Sequence, residues 1–271
     1  MTDELEGTVA LITGASRGIG EGAAFALARR GAAVVVHGLD LAEAEGIAAR
    51  IRDEGGRAIA VAGPIDAAAT STEAVAAAIE HFGRLDVLVT SAGIQRYGDA
   101  VETTEQVWNE VLDVNLKGVF LAAKAALPEI RKSPVGSVVI VASVQGFASQ
   151  ANVVAYTASK GALHAMGRAM AVDEAAYGVR VNTVSPGSVD TPMLRHAAAE
   201  WSDGTPEGVE STIADWGLAH ALGRVATINE VGEVIAFLAG SRSSFVTGTD
   251  VRVDGGMLAR IAAALPEKNR S

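Results

Sequence analysis

Seven short runs of β-branched and other apolar residues recur along the chain, centred on residues 9–12, 34–36, 59–62, 87–89, 138–141, 179–184 and 250–253. Several are almost continuously apolar rather than alternating, which is the pattern of strands covered on both faces. Longer alanine-rich segments that suit helices lie between them, at residues 20–30, 41–54, 72–82, 104–131, 156–177 and 229–239. The first ends on Arg29 and Arg30 before Gly31, a basic last turn followed by a glycine terminator. Strands that alternate with helices predict an α/β chain: a doubly wound, parallel, seven-stranded sheet with helices on both faces.

No repeat or proline- and glycine-rich linker divides the 271 residues, so a single domain spanning 1–271 is expected. One stretch, 195–224, is poorly patterned, holds Trp201, Trp216, Pro206 and four glycines, and is too long for an ordinary connection. It is read as a lid over a substrate, with a plain two-helix excursion as the alternative. Residues 257–271 are read as a C-terminal tail.

Composition narrows the field by exclusion. The absence of cysteine removes disulfides, thiolate zinc sites, iron–sulfur ligation and a cysteine nucleophile. A net charge of −10 with no basic patch argues against nucleic acid and anionic membrane partners. Asp3, Glu4 and Glu6 stand where a secretory signal carries basic residues, so a cytoplasmic location is expected. The uncharged stretch 133–159 is too often interrupted, by Gln145, Gln150, Asn152 and several serines, to be a membrane span. His37, His81, His164, His196 and His220 form no metal-binding pair, and no metal site is expected.

The chemistry begins after the first strand, which runs into Thr13-Gly14-Ala15-Ser16-Arg17-Gly18-Ile19-Gly20 and then a helix. A strand before and a helix after are what a phosphate-cradling glycine loop requires. Gly14 permits the tight turn, Gly18 lets backbone approach a pyrophosphate, and Gly20 allows close helix packing, while the helix N-terminus attracts the phosphates. Further on, Tyr156-Thr157-Ala158-Ser159-Lys160 places a phenol and an ammonium four residues apart, on one helix face. A phenol of pKa about 10 needs roughly 4 kcal/mol of selective phenolate stabilisation to shuttle protons near pH 7, and a neighbouring cation can supply much of it.

The TGxxxGxG spacing, together with Ser143 after the fifth strand and the Tyr156–Lys160 pair, resembles the short-chain dehydrogenase/reductase superfamily over residues 9–256. The resemblance implies a Rossmann fold and hydride transfer between a nicotinamide cofactor and a secondary alcohol or ketone. It implies that Tyr156 handles the proton, that Ser143 polarises the substrate oxygen, that Lys160 also binds the nicotinamide ribose, and that Asn115 completes a tetrad by holding water in a relay. It places Ser16, Arg17, Ile19, Leu39 and Ile65 along the cofactor, and Ser91, Ala92 and Gly93 beside it. It also makes Pro186-Gly187 the nicotinamide-side loop, with the Val189 backbone and Thr191 hydroxyl holding the carboxamide.

Departures from the family pattern cluster at the adenosine end. Gly38 stands where NAD-preferring relatives carry an acid, and Leu39 near where NADP-preferring ones carry arginine. Arg17 tips the expectation slightly from NAD towards NADP. Asp40 either reaches a ribose or caps the next helix. Gly63-Pro64-Ile65 lacks the usual aspartate, and Thr90-Ser91-Ala92-Gly93 replaces the usual paired asparagines.

For substrate, Gln95, Arg96, Gln145 and Gln150 point to a small alcohol or carbonyl compound such as a sugar or polyol. Tyr97, Phe147, Trp201 and Trp216 either line its pocket or fill core. A 3-oxoacyl thioester reductase is one alternative; a catalytically silent cofactor sensor is another. The resemblance further implies a homotetramer built on the helices that contain Asn115 and Tyr156, where Ala158, Gly161, Ala162 and Ala165 permit close packing.

Overall fold

The computed structural model describes residues 4–261 and contains the expected seven strands: β1 (Val9–Thr13), β2 (Ala33–Gly38), β3 (Arg57–Ala62), β4 (Val87–Thr90), β5 (Ser137–Val141), β6 (Arg180–Pro186) and β7 (Asp250–Val253). They form one parallel sheet in the order β3-β2-β1-β4-β5-β6-β7. The chain reverses its winding between β1 and β4, and a crevice opens at the carboxyl ends of the strands on either side of such a switch point.

One face is covered by α1 (Gly18–Ala28), α2 (Leu41–Asp53) and α9 (Ile228–Ala239), the other by α3 (Ala68–Phe82), α5 (Gly118–Ile130) and α6 (Val154–Glu174). Each strand sends alternate side chains to opposite faces, so Ile12 and Val34 join the first layer while Leu11 and Val35 join the second. This double burial explains the unbroken apolar runs.

Boundaries differ from expectation where a turn or cap intervenes. Helix α1 starts at Gly18 and ends before Arg29 and Arg30, which turn into Gly31 at φ +96°. Helix α3 begins at Ala68, four residues earlier than its pattern suggests. Asp40 is the cap of α2, accepting the Glu43 N–H at 3.0 Å, and so takes the second of its two expected roles. The long helix expected over 104–131 is broken into α4 (Glu105–Leu112), one wide turn with i→i+5 bonding (Asp113–Lys117), and α5.

The stretch 195–224 is not irregular. It carries most of α7 (Pro192–Glu200) and all of α8 (Pro206–Gly217), each with a threonine cap and a proline in the first turn. Arg195 fastens the pair, donating to Asp190 through Nε at 2.6 Å and to Glu210 at 2.7 Å. Of the expected tail, Met257–Ala259 forms a tight helical turn, and 262–271 lie outside the described residues. Among the described residues, no helix is long and apolar enough to cross a membrane.

Candidate active site

The strand–turn–helix at β1 and α1 builds the floor of the crevice. Gly14 has φ +65°, and a Cβ there would stand 2.6 Å from the Ala92 Cα, so both the turn and the approach of the β4 loop require glycine. Thr13 ties that neighbouring loop down, its hydroxyl accepting the Ser91 N–H at 3.2 Å and the Ala92 N–H at 3.4 Å. At Arg17, the residue before α1, no side chain caps the helix, which leaves its first N–H groups facing the crevice.

Sequence reasoning gave no role to His37, which supports this loop from behind. Its Nδ1 accepts the Gly14 N–H at 3.3 Å while Nε2–H donates to the Gly63 carbonyl at 3.1 Å. Burial pushes its pKa down, only partly offset by the Gly63 bond, and a neutral ring is what an accepting Nδ1 demands. Nothing in the local pattern marks it, because its partners come from the loops after β1 and β3.

A trough of about 340 Å³ runs along the crevice, lined by Gly14, Ser16, Arg17, Gly18, Ile19, Leu39, Ile65, Ser91, Ala92, Gly93, Tyr156, Lys160 and Thr191, all expected from sequence. His37, Gly63, Pro64, Asp66 and Met193 line it as well. Gly20 does not: a Cβ on it would lie 2.2 Å from the Gly14 carbonyl oxygen, so it serves the packing of helix against loop. At Gly38 a Cβ would meet Ser16 Cβ at 2.9 Å, and Glu43 instead brings a carboxylate to the Ser16 hydroxyl, at 3.4 Å. A cradle whose turns exclude side chains, with open helix N–H groups at one end and an ammonium at the other, fits a dinucleotide.

A second cavity of about 840 Å³ adjoins the trough, lined by Ser143, Tyr156, Pro186, Gly187, Val189 and Thr191 among others. Gln95, Gln145 and Gln150 line it, as do Tyr97, Trp201 and Trp216. Arg96 does not, being paired with Glu110 at 2.6 Å. Phe147 does not either; it is half exposed and stacks on His164, ring centroids 4.2 Å apart. His164 is buried and bonded to the Ser185 hydroxyl at 2.8 Å, a packed residue rather than a ligand. The loop Gly187–Ser188 is held by another unforeseen histidine, His220, whose Nε2 accepts the Ser188 N–H at 3.0 Å.

Tyr156 borders both cavities and Ser143 only the second. The Tyr156 phenol lies beside the Ser143 hydroxyl, which accepts the Gln145 N–H at 3.1 Å. Lys160 is buried, donates to the Val141 carbonyl at 2.9 Å, and places Nζ 5.5 Å from the centre of the Tyr156 ring. Burial pushes the phenol up to about 12, partly countered by Ser143, and pushes the ammonium down to about 8. In the chain alone Tyr156 is therefore protonated at pH 7.

Asn115, in the wide turn, lines neither cavity and is fully buried. Its Oδ1 accepts the Ile94 N–H at 2.8 Å, and its Nδ2 donates to the Ile94 carbonyl at 2.9 Å and to the Ser159 hydroxyl at 3.1 Å. The side chain thus clips the β4 loop to α6. It also borders the reacting corner: a methyl on Gly93 would sit 3.4 Å from Asn115 Oδ1 and 3.8 Å from Lys160 Nζ. Among the described residues, no group of three or more histidines and carboxylates could hold a metal ion.

A switch-point trough with a tyrosine–lysine pair at its inner end defines a class, the nicotinamide-dependent oxidoreductases. The comparisons with known proteins agree. A family model described as "Enoyl-(Acyl carrier protein) reductase" matches residues 14–258. Oxidoreductase UcpA of Salmonella typhimurium is 40% identical over 255 residues, covering 93% of this chain and 95% of that one. A cis-4-hydroxycyclohexanecarboxylate dehydrogenase of Sinomonas cyclohexanicum is 40% identical over 257 residues, covering 93% and 96%. The 2,5-dichloro-2,5-cyclohexadiene-1,4-diol dehydrogenase LinX of Sphingobium indicum is 34% identical over 256 residues, covering 94% and 98%. Among solved structures, the ligand-free aldohexose dehydrogenase of Thermoplasma acidophilum superposes with a TM-score of 0.89 at 31% identity, covering 98% of this chain and all of that one. The chain belongs to the short-chain dehydrogenase/reductase family. It is an NAD(P)-dependent oxidoreductase acting on CH–OH groups.

Proposed function

We propose that this enzyme interconverts a ring-borne secondary alcohol and its ketone, with Tyr156 as the proton-transferring residue. The observation that carries the reading is the position of Tyr156, the one residue of the expected tetrad that borders both the trough and the larger cavity. The nicotinamide, when bound, supplies or accepts the hydride. Ser143 holds the substrate oxygen by the hydroxyl that already meets Tyr156. In the reducing direction Tyr156 gives its proton to the developing alkoxide. Lys160 places an ammonium beside the same point, and Asn115 holds the β4 loop against α6 so that the corner keeps its shape. Pro186, Gly187, Val189 and Thr191 form the wall that orients the carboxamide, and α7 with α8 acts as a lid over the substrate.

Arg17 supports NADP as the preferred coenzyme, since it lines the trough and is exposed while Gly38 offers no acid to a ribose. Glu43 beside Ser16 opposes it by charge. The proposal includes a cytoplasmic homotetramer formed through α5 and α6, which expose Phe120 and Val172. A 3-oxoacyl thioester reductase remains the second reading, favoured by the acyl carrier protein in the family model's description. Separate titrations with NADH and NADPH, then turnover on a sugar, cyclic alcohol and 3-oxoacyl thioester panel, test both assignments. Tighter NADPH binding that Arg17→Ala weakens about tenfold supports the coenzyme choice. Equal binding of the two coenzymes, or turnover confined to the thioester, contradicts this reading.

A further inference from the structure

The wall read above as orienting the carboxamide includes a short run of backbone, Gly187–Asp190, whose polar groups are mostly committed. The Gly187 N–H donates to the Val253 carbonyl at 3.1 Å and the Asp190 N–H to the Ala226 carbonyl at 2.8 Å, while the Ser188 carbonyl accepts the Ala226 N–H at 2.9 Å. The Ser188 N–H goes instead to a side chain, His220 Nε2, at 3.0 Å. Among the described residues, the Val189 N–H has no partner, and Val189 lines the larger cavity. Fixed peptide groups on either side hold that uncommitted N–H in a defined place.

His220 stands behind this run. It is buried, lines neither cavity, and among the described residues is the one side chain that hydrogen-bonds the backbone of Gly187–Asp190. A backbone N–H can only donate, so Nε2 is the accepting nitrogen and the ring proton sits on Nδ1, which meets the Gly217 carbonyl at 3.3 Å. Neighbouring glycines make room for the ring. A Cβ on Gly187 would stand 2.6 Å from Nε2, and one on Gly255 would stand 3.2 Å from the His220 Cβ. Gly217 is the last residue of α8, whose Thr212 and Trp216 line the substrate cavity. The imidazole therefore spans from the end of that helix to the loop, with both ring nitrogens engaged.

We infer that His220 is a positioning residue for the nicotinamide half of the coenzyme: it fixes the Ser188 peptide, and with it the Val189 N–H, where the carboxamide docks. This rests on the reading of Pro186, Gly187, Val189 and Thr191 as the carboxamide wall, and adds a residue that touches neither coenzyme nor substrate. Its mark is selectivity. Without the acceptor the Ser188 N–H is left unpaired, and the loop relieves that cost by shifting. The phosphate turn at Gly14 is held separately, by His37, and keeps its shape. Loss of His220 Nε2 thus weakens the grip on one half of the dinucleotide and spares the other.

The test measures two dissociation constants on each protein sample: that of the tighter-binding nicotinamide coenzyme, and that of the matching fragment without nicotinamide, ADP-ribose or its 2′-phosphate. His220→Asn keeps an amide near Gly217 and withdraws the acceptor from Ser188. Its coenzyme Kd should rise about tenfold while its fragment Kd stays within about twofold of the parent. His220→Gln puts an amide oxygen in the place of Nε2, and both constants should stay within about threefold. At saturating coenzyme, kcat on a ring alcohol should fall at least about tenfold in the Asn variant while KM changes less than about threefold. Gly187→Ala presses a methyl on Nε2 from the loop side, and should give the same selective loss with His220 in place. The double variant should lose no more than either single one. Equal weakening of coenzyme and fragment, an Asn or Ala variant that matches the parent, a Gln variant as damaged as the Asn one, or additive losses would overturn the inference alone. A parent protein that binds neither nicotinamide coenzyme would instead overturn the proposed function, and this inference with it.

Discussion

The reacting corner and the cavity beside it are built on opposite principles. In the corner, Lys160 is bonded to Val141, Asn115 to Ile94 and Ser159, and Ser143 to Gln145. The cavity is larger and carries no charge among its described lining residues. A satisfied network fixes geometry, which is what proton and hydride transfer need. A wall without fixed charge favours an uncharged substrate and so carries specificity. The chemistry is therefore set by the fold common to many relatives, and the choice of substrate by a wall that borders it.

Substitutions in the corner should lower turnover for every substrate alike, whereas those in the cavity wall should shift ratios between substrates. Ser143→Ala removes one hydroxyl at the substrate oxygen and should cut kcat by about 10²–10³ on diol and mono-alcohol alike. Steady-state kinetics on both substrates would show it, and a loss confined to one of them would erase the distinction between corner and wall.

Lys160→Met sharpens the comparison from the side of stability. A lysine whose folded pKa, about 8, lies below its ordinary 10.5 binds its proton less tightly in the folded protein. The charged form is therefore penalised below about pH 8, and the penalty disappears as pH rises past the ordinary value. Replacing the ammonium should stabilise the fold by about 2 kcal/mol at pH 7, after allowing for the lost Val141 bond, with the gain fading by pH 10.5. Denaturant melts at the two pH values measure this, and a variant less stable than the parent at pH 7 would mean the buried cation is fully compensated. Turnover should fall in the same variant, so that stability and activity move in opposite directions.

The sheet was legible because strands buried on both faces need unbroken β-branched runs such as residues 34–36 and 138–141, and little else in the chain looks like them. The glycine turn and the Tyr156–Lys160 spacing were legible for a related reason: both are local. What escaped was decided by distant partners. The break of the long helix at Asp113–Lys117 is coupled to a side chain, Asn115, whose bonds reach the β4 loop and α6. The roles of His37 and His220 depend on backbone groups 23 and 32 residues away. The two helices of the 195–224 region were readable in part, since Thr191-Pro192 and Thr205-Pro206 are cap-and-first-turn signals that a search for apolar periodicity passes over.

The central claim is that Tyr156 transfers the proton at the point where two cavities meet. Single-turnover reduction of coenzyme by a saturating cyclic diol, in the parent protein and in Tyr156→Phe, tests it directly, with coenzyme affinity measured on the same samples. The account predicts a rate at least about 10²-fold lower in the variant, with the coenzyme Kd within a few fold of the parent. A variant that binds coenzyme and reduces it at the parental rate would contradict it.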